Sequence, residues 1–77
     1  MLRSLIEHAI KSIVLYPEQV FITETIEGSK VAIKVHVSKA DVGRVIGKNG
    51  ATIKTLRLMT QALADLKGRK ASLEIAK

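Results

Sequence analysis

The chain has 77 residues, 47% of them hydrophobic, no cysteine, and a net charge of +6. That length makes one small domain, residues 1–77, burying about 60% of its extended surface, and the lack of cysteine removes disulfides and thiolate metal sites as staples. No stretch approaches the roughly 20 apolar residues that span a bilayer, and Met1 to Val14 lacks the continuous apolar run of a secretory signal, so a soluble, cytoplasmic protein is expected.

Residues 2–15 read as an amphipathic helix. Leu2, Leu5, Ile6, Ala9, Ile10, Ile13 and Val14 recur at helical spacing, and Arg3, Ser4, Glu7, His8, Lys11 and Ser12 stand opposite. Pro17 is expected to stop it. Val20 to Glu27 is rich in β-branched residues and reads as a strand. After the turn Glu27-Gly28-Ser29-Lys30, the alternation of Val31, Ile33, Val35 and Val37 with polar or small residues predicts a second strand, paired with the first as a hairpin.

Ser38-Lys39-Ala40-Asp41 has the pattern of a capping box and should open a short helix through about Ile46. Beyond a glycine turn, Ile53, Leu56, Met59 or Thr60, Leu63 and Leu66 continue at helical spacing. Lys67-Gly68-Arg69-Lys70 supplies a C-cap glycine and cations that suit a helix C-terminus. Ala71, Leu73 and Ile75 alternate as a last strand. The expected class is α+β, a two-layer sandwich in the order α-β-β-α-α-β, with helices covering one face of a three-stranded sheet. That order leaves no room for a second domain, a linker or a repeat.

The charge is unevenly placed. Residues 1–38 hold four basic groups against four acidic ones, whereas residues 39–77 hold nine against three. Such a one-sided field is the footprint of a polyanion binder. Within the basic half stands Gly43-Arg44-Val45-Ile46-Gly47-Lys48-Asn49-Gly50, which places Gly-Lys-Asn-Gly between two predicted helices. Glycines at both ends let the backbone approach a ligand closely and adopt positive φ. The following helix aims its free N–H groups and positive dipole end at the same turn. Lys48 adds a full charge, and a phosphate is the ligand this combination suits.

Element order and turn together resemble a KH domain of the type II arrangement, in which Ile-Gly-x-x-Gly links two short helices. Here the motif stands as Ile46-Gly47-Lys48-Asn49-Gly50, and the resemblance is closest to the KhpA family of small bacterial single-KH proteins. It covers nearly the whole chain. The resemblance implies a non-catalytic binder of single-stranded RNA, an RNA chaperone or post-transcriptional regulator. Gly47, Lys48, Asn49 and Gly50 would clamp the backbone of about four nucleotides. Bases would lie in an apolar groove between the helices and a strand edge. Arg44 and Lys54 would neutralise nearby phosphates, and Gly43 and Val45 border the site. Members that have lost binding often carry acidic residues at the two middle positions of the turn, whereas this chain has Lys48 and Asn49. The resemblance also implies self-pairing, and pairing with a second KH-containing protein of the KhpB (Jag-like) family. Leu58 and Ala62, on the side of the long helix away from its apolar stripe, would contribute to such a surface.

Each residue also has a structural reading. Ile46 and Ile53 fit the core better than a base contact. Gly43 either widens a groove or lets two helices pack closely, and Val45 either lines the groove or belongs to the core. Lys39, Arg57, Lys67, Arg69 and Lys70 are most simply solvated charges. His8 and His36 have no acidic or cysteine cluster near them in sequence, so neither a metal nor a cofactor is expected. No catalytic arrangement of serine, histidine and carboxylate stands out. Tyr16 and Phe21 are the only aromatics, which excludes an aromatic stacking platform. A P-loop needs four residues between its glycines and a hydroxyl after the lysine. Gly43 to Gly47 offers three, and Asn49 stands in the hydroxyl's place. Besides RNA binding, two readings remain: a helix-turn-helix that binds DNA, and a subunit whose fold serves chiefly for assembly.

Overall fold

The computed structural model describes residues 2–76. Met1, Lys77 and the side chain of Leu2, assigned above to the apolar face of the first helix, lie outside the described residues. The first helix, α1 (Leu2–Lys11), turns Ile6 and Ile10 fully into the core, while Leu5 at the border of the same stripe stays 49% exposed. Its length corrects the expectation of a helix over 2–15. Ser12 and Ile13 close the last turn through bonds to the His8 and Ile10 carbonyls. The N–H groups of Leu15 and Tyr16 then leave the helical path and bond the Asp41 carboxylate, at 2.9 and 3.0 Å. Pro17 therefore does not stop α1. It opens a separate 3₁₀ turn, Pro17–Gln19, where its missing N–H costs nothing.

Strands β1 (Phe21–Glu27) and β2 (Lys30–His36) form the expected antiparallel hairpin, with Ile22 opposite Val35 and Ile26 opposite Val31. Val31, Ile33 and Val35 are buried and face the helices. The opposite face carries Thr23, Thr25, Lys34 and a stacked Phe21–His36 pair, and no helix among the described residues covers it.

Ser38 caps as expected, its hydroxyl accepting the Ala40 N–H at 3.3 Å. The chain makes one 3₁₀ turn, Lys39–Asp41, before α2 (Val42–Ile46) begins. Asp41 does not complete a capping box. Its carboxylate is fully buried and bonds the Leu15–Tyr16 segment instead, with the Arg44 Nε 3.7 Å from Oδ1.

The long helix α3 (Ala51–Asp65) buries Ile53, Leu56, Thr60 and Ala64. This resolves the register: Thr60 faces inward, its hydroxyl satisfied by the Leu56 carbonyl at 2.7 Å, and Met59 is 40% exposed. Leu66 falls past the helix end and is 83% exposed, so it is not part of the apolar stripe. Gly68 adopts φ +67° and closes α3 as expected. The Gly68 N–H bonds the Asp65 carbonyl and the Arg69 N–H the Ala64 carbonyl, the paired bonds of a Schellman cap. The chain then enters β3 (Lys70–Ile75), which pairs parallel to β2 and gives the sheet order β1-β2-β3. A parallel neighbour requires a long crossover, and α2 and α3 are that crossover. The α+β sandwich in the order α-β-β-α-α-β is the observed fold, with one core drawn from Ile6, Ile10, Val20, Ile22, Val31, Ile33, Val35, Val45, Ile53, Leu56 and Leu73.

Asp41→Ala should cost about 2–4 kcal/mol, because two N–H groups lose a charged acceptor at a part-buried site. Urea unfolding should show a lower midpoint at an unchanged slope. A midpoint within error of the unaltered protein would mean that the carboxylate does not hold the connection.

Candidate nucleic-acid interface

Three of the four residues in the turn between α2 and α3, Gly47, Asn49 and Gly50, have backbone angles that exclude most side chains. Gly47 has φ +77° and ψ 172°, a region essentially reserved for glycine. Asn49 (φ 57°, ψ 24°) and Gly50 (φ 75°, ψ 13°) follow in the left-handed helical region, which asparagine tolerates better than most residues. Gly47 is also fixed sterically: a Cβ there would overlap the Thr52 hydroxyl and lie 2.7 Å from the Thr52 Cβ and 2.9 Å from its backbone nitrogen. Bonds from the Gly47 N–H to the Gly43 carbonyl and from the Gly50 N–H to the Gly47 carbonyl tie the turn to α2 and to itself. Lys48 and Asn49 project into solvent at the tip.

The N-terminus of α3 meets this turn with no side-chain cap and no acidic residue in its first turn. The Ala51 N–H bonds the Lys48 carbonyl, and the positive dipole end of α3 lies at the turn that carries Lys48. From there α3 runs along the edge strand β3, and the two enclose an open groove of about 590 Å³. One wall carries Lys54, Arg57, Leu58 and Gln61, and the other carries residues 71–74 of β3. A turn carrying Lys48 thus precedes, by one helical turn, a shallow groove whose helical wall carries Lys54 and Arg57.

The sequence model of the family described as KhpA/KhpB, KH domain, matches residues 3–75. The chain belongs to that family. It is 40% identical to the RNA-binding protein KhpA of Thermotoga maritima over 62 residues, covering 80% of this chain and 83% of that protein. Against the protein of the same name from Oceanobacillus iheyensis it is 44% identical over 61 residues, 79% of this chain and 81% of the other. Against that of Halalkalibacterium halodurans it is 35% identical over 74 residues, covering 96% and 97%.

Within this KhpA/KhpB-type domain, Gly47, Lys48, Asn49 and Gly50 form the turn, and Lys54 stands one helical turn along on the groove wall. Gly43 is exposed, and a Cβ there would meet nothing within 4 Å, so close helix packing is not its role. Arg44 is half exposed, with its Nε directed toward Asp41, so its charge is shared between that carboxylate and any ligand. Val45 has no exposed surface and packs in the core. That corrects its inclusion among the contact residues: helical periodicity turns it inward between exposed Arg44 and half-buried Ile46. Ile53 is buried and Ile46 packs against the core.

The remaining cations divide. Arg57 lies in the groove, whereas Lys67, Arg69 and Lys70 follow the far end of α3, which for a helix of 15 residues is roughly 22 Å from the turn. Sequence reasoning did not find Thr52, and it expected a strand edge as the second groove wall without saying which strand supplies it. Lys54, Arg57, Leu58 and Gln61 recur at helical spacing, and that stripe is the signal that could have shown one wall. Among the described residues no group of histidine and carboxylate could hold a metal ion, and no helix is long and apolar enough to cross a membrane.

Gly47→Ala should destabilise by about 2 kcal/mol or more, through strained angles and collision with Thr52. Gly43→Ala, in open space within α2, should be neutral or stabilising by up to about 1 kcal/mol. Equal thermal shifts for the two variants would contradict the turn geometry.

Proposed function

We propose that the protein is a non-catalytic binder of short single-stranded RNA. In this reading the Gly47–Gly50 turn clamps the backbone of about four nucleotides, while bases enter the groove between α3 and β3. The observation that carries it is the junction of a glycine-dictated turn, Lys48, and a helix N-terminus without a side-chain cap, one helical turn from the Lys54 end of that groove. The KhpA proteins of related sequence are named for RNA binding, which supports the same reading. With so few aromatics, bases are held by aliphatic surface and hydrogen bonds, which favours short footprints and loose sequence preference.

The biological role that follows is that of an RNA chaperone or post-transcriptional regulator in the cytoplasm, acting as a homodimer or with a KhpB-type partner. The assembly reading draws on one observation: Leu58 is 73% exposed and Met59 40% exposed on neighbouring positions of α3. A duplex-DNA reader is disfavoured because α2, at five residues, is short and tied into the turn. Excess duplex DNA should not compete for the site.

Lys48→Asp combined with Asn49→Asp puts two negative charges where the phosphate sits and leaves both glycines in place. Binding to a short single-stranded RNA should be lost, with stability changed by no more than about 0.5 kcal/mol. For the unaltered protein, Arg44, Lys48 and Lys54 meeting three phosphates should give log affinity against log salt a slope of roughly −2. Undiminished affinity in the double variant, or a slope near zero, would end the clamp assignment and favour assembly.

A further inference from the structure

Arg57 lies nearly two turns into α3, on the wall that faces β3. Its Nε donates to the Leu73 carbonyl at 3.1 Å. One turn further, Gln61 accepts the Ala71 N–H through Oε1 at 3.1 Å and donates through Nε2 to Asp65 at 2.6 Å. The N–H groups of Lys70 and Ala76 bond carbonyls of Ser29 and Val35, so even-numbered residues of β3 turn their backbone groups toward β2. The backbone groups of Ala71 and Leu73 accordingly face the groove, where two helix side chains cap the Ala71 N–H and the Leu73 carbonyl. Ala71 cannot offer its own N–H to a base, and the Leu73 carbonyl already accepts from Arg57.

What remains on that wall is the outer half of the Arg57 guanidinium. Its Nε is held by the strand, and its two Nη atoms make no hydrogen bond or ion pair among the described residues. An anchored guanidinium presents a planar pair of parallel donors in fixed geometry. That pair matches two acceptors side by side. Guanine has such a pair in O6 and N7, and cytosine has one in O2 and N3. Adenine and uracil place a donor between neighbouring acceptors. In single-stranded RNA all of these edges are accessible.

We propose that Arg57 is a base-reading residue, selecting at one position of the bound strand a base with two adjacent acceptors, guanine or cytosine, over adenine or uracil. The inference rests on the clamp reading above, which places phosphates at the turn and base edges against the strand where the Arg57 head is anchored. Lys48 and Lys54 serve the phosphates nearer the turn.

The test uses the full chain and a set of short uracil-background RNAs carrying a single guanine, cytosine or adenine, titrated at several salt concentrations. The unaltered protein should bind the guanine or the cytosine strand about five- to tenfold more tightly than the adenine strand, the lower end of what a bidentate contact discriminates. The two matching strands, compared with each other, identify which base is read. Arg57→Lys keeps the charge and loses the fork, so this preference should fall to near unity while the salt slope stays unchanged. Arg57→Ala should lose the same preference. If Arg57→Lys retains the preference, or if Arg57→Ala weakens all strands equally and flattens the slope by about 0.7, Arg57 meets a phosphate and the proposal is overturned. Tight binding without base preference by the unaltered protein would overturn this proposal alone. No binding of any strand would overturn the clamp reading with it.

Discussion

A fully buried carboxylate joins the two halves of this molecule. Asp41 stands where a helix-capping side chain would serve its own helix, yet it bonds the N–H groups of Leu15 and Tyr16, which belong to the connection from α1 to β1. A charge without solvent contact is costly unless it is paired and hydrogen-bonded. Here two N–H groups and the Arg44 guanidinium supply that compensation, and no buried side-chain polar atom among the described residues lacks a partner. The consequence is positional. Asp41 immediately precedes α2, so the segment that leads into the glycine turn is fixed against α1's connection as well as against α3.

From that anchor the site follows in a chain of constraints. Val45 and Ile53 bury on either side of the turn and set the angle at which α2 and α3 diverge. Only a sharp reversal joins them, and Gly47 supplies it in a conformation closed to other residues and a space closed to a Cβ. The reversal leaves the start of α3 without a side-chain cap. In most helices that would be a deficiency; beside Lys48 it is a charge-ready surface. The side chains of α3 then serve two partners, with Ile53, Leu56 and Thr60 in the core and Lys54, Arg57 and Gln61 on the groove.

Much of this was legible in the residues, for identifiable reasons. Strand alternation at Val31, Ile33 and Val35, the left-handed cap at Gly68 and the glycines of the turn are local signals, and the structure has all of them. The early end of α1 was not legible, because its cause lies in Asp41, some 25 residues away in sequence. The aspartate's spacing from Ser38 matched a capping box, and that local pattern masked its long-range partner. Val45 was ambiguous because a five-residue helix gives too few turns to fix a face. The second wall of the groove was hidden for a topological reason. Nothing local in Ala71 to Ile75 says that the strand pairs parallel to β2 and lies along α3. The charge excess was visible as a total, and the motif singled out Arg44, Lys48 and Lys54, but only the fold separates Arg57 from the cations beyond the far end of α3.

Titration of isotopically labelled protein with a short single-stranded RNA, followed through backbone amide shifts, tests the central claim most directly. The shifts should concentrate at Gly47–Ile53, along Lys54–Gln61 of α3 and at residues 71–74 of β3. Leu66–Arg69 and the open face of the sheet should stay unperturbed. Shifts centred on Lys67–Lys70 or on the Phe21–His36 pair, with the glycine turn silent, would contradict the account.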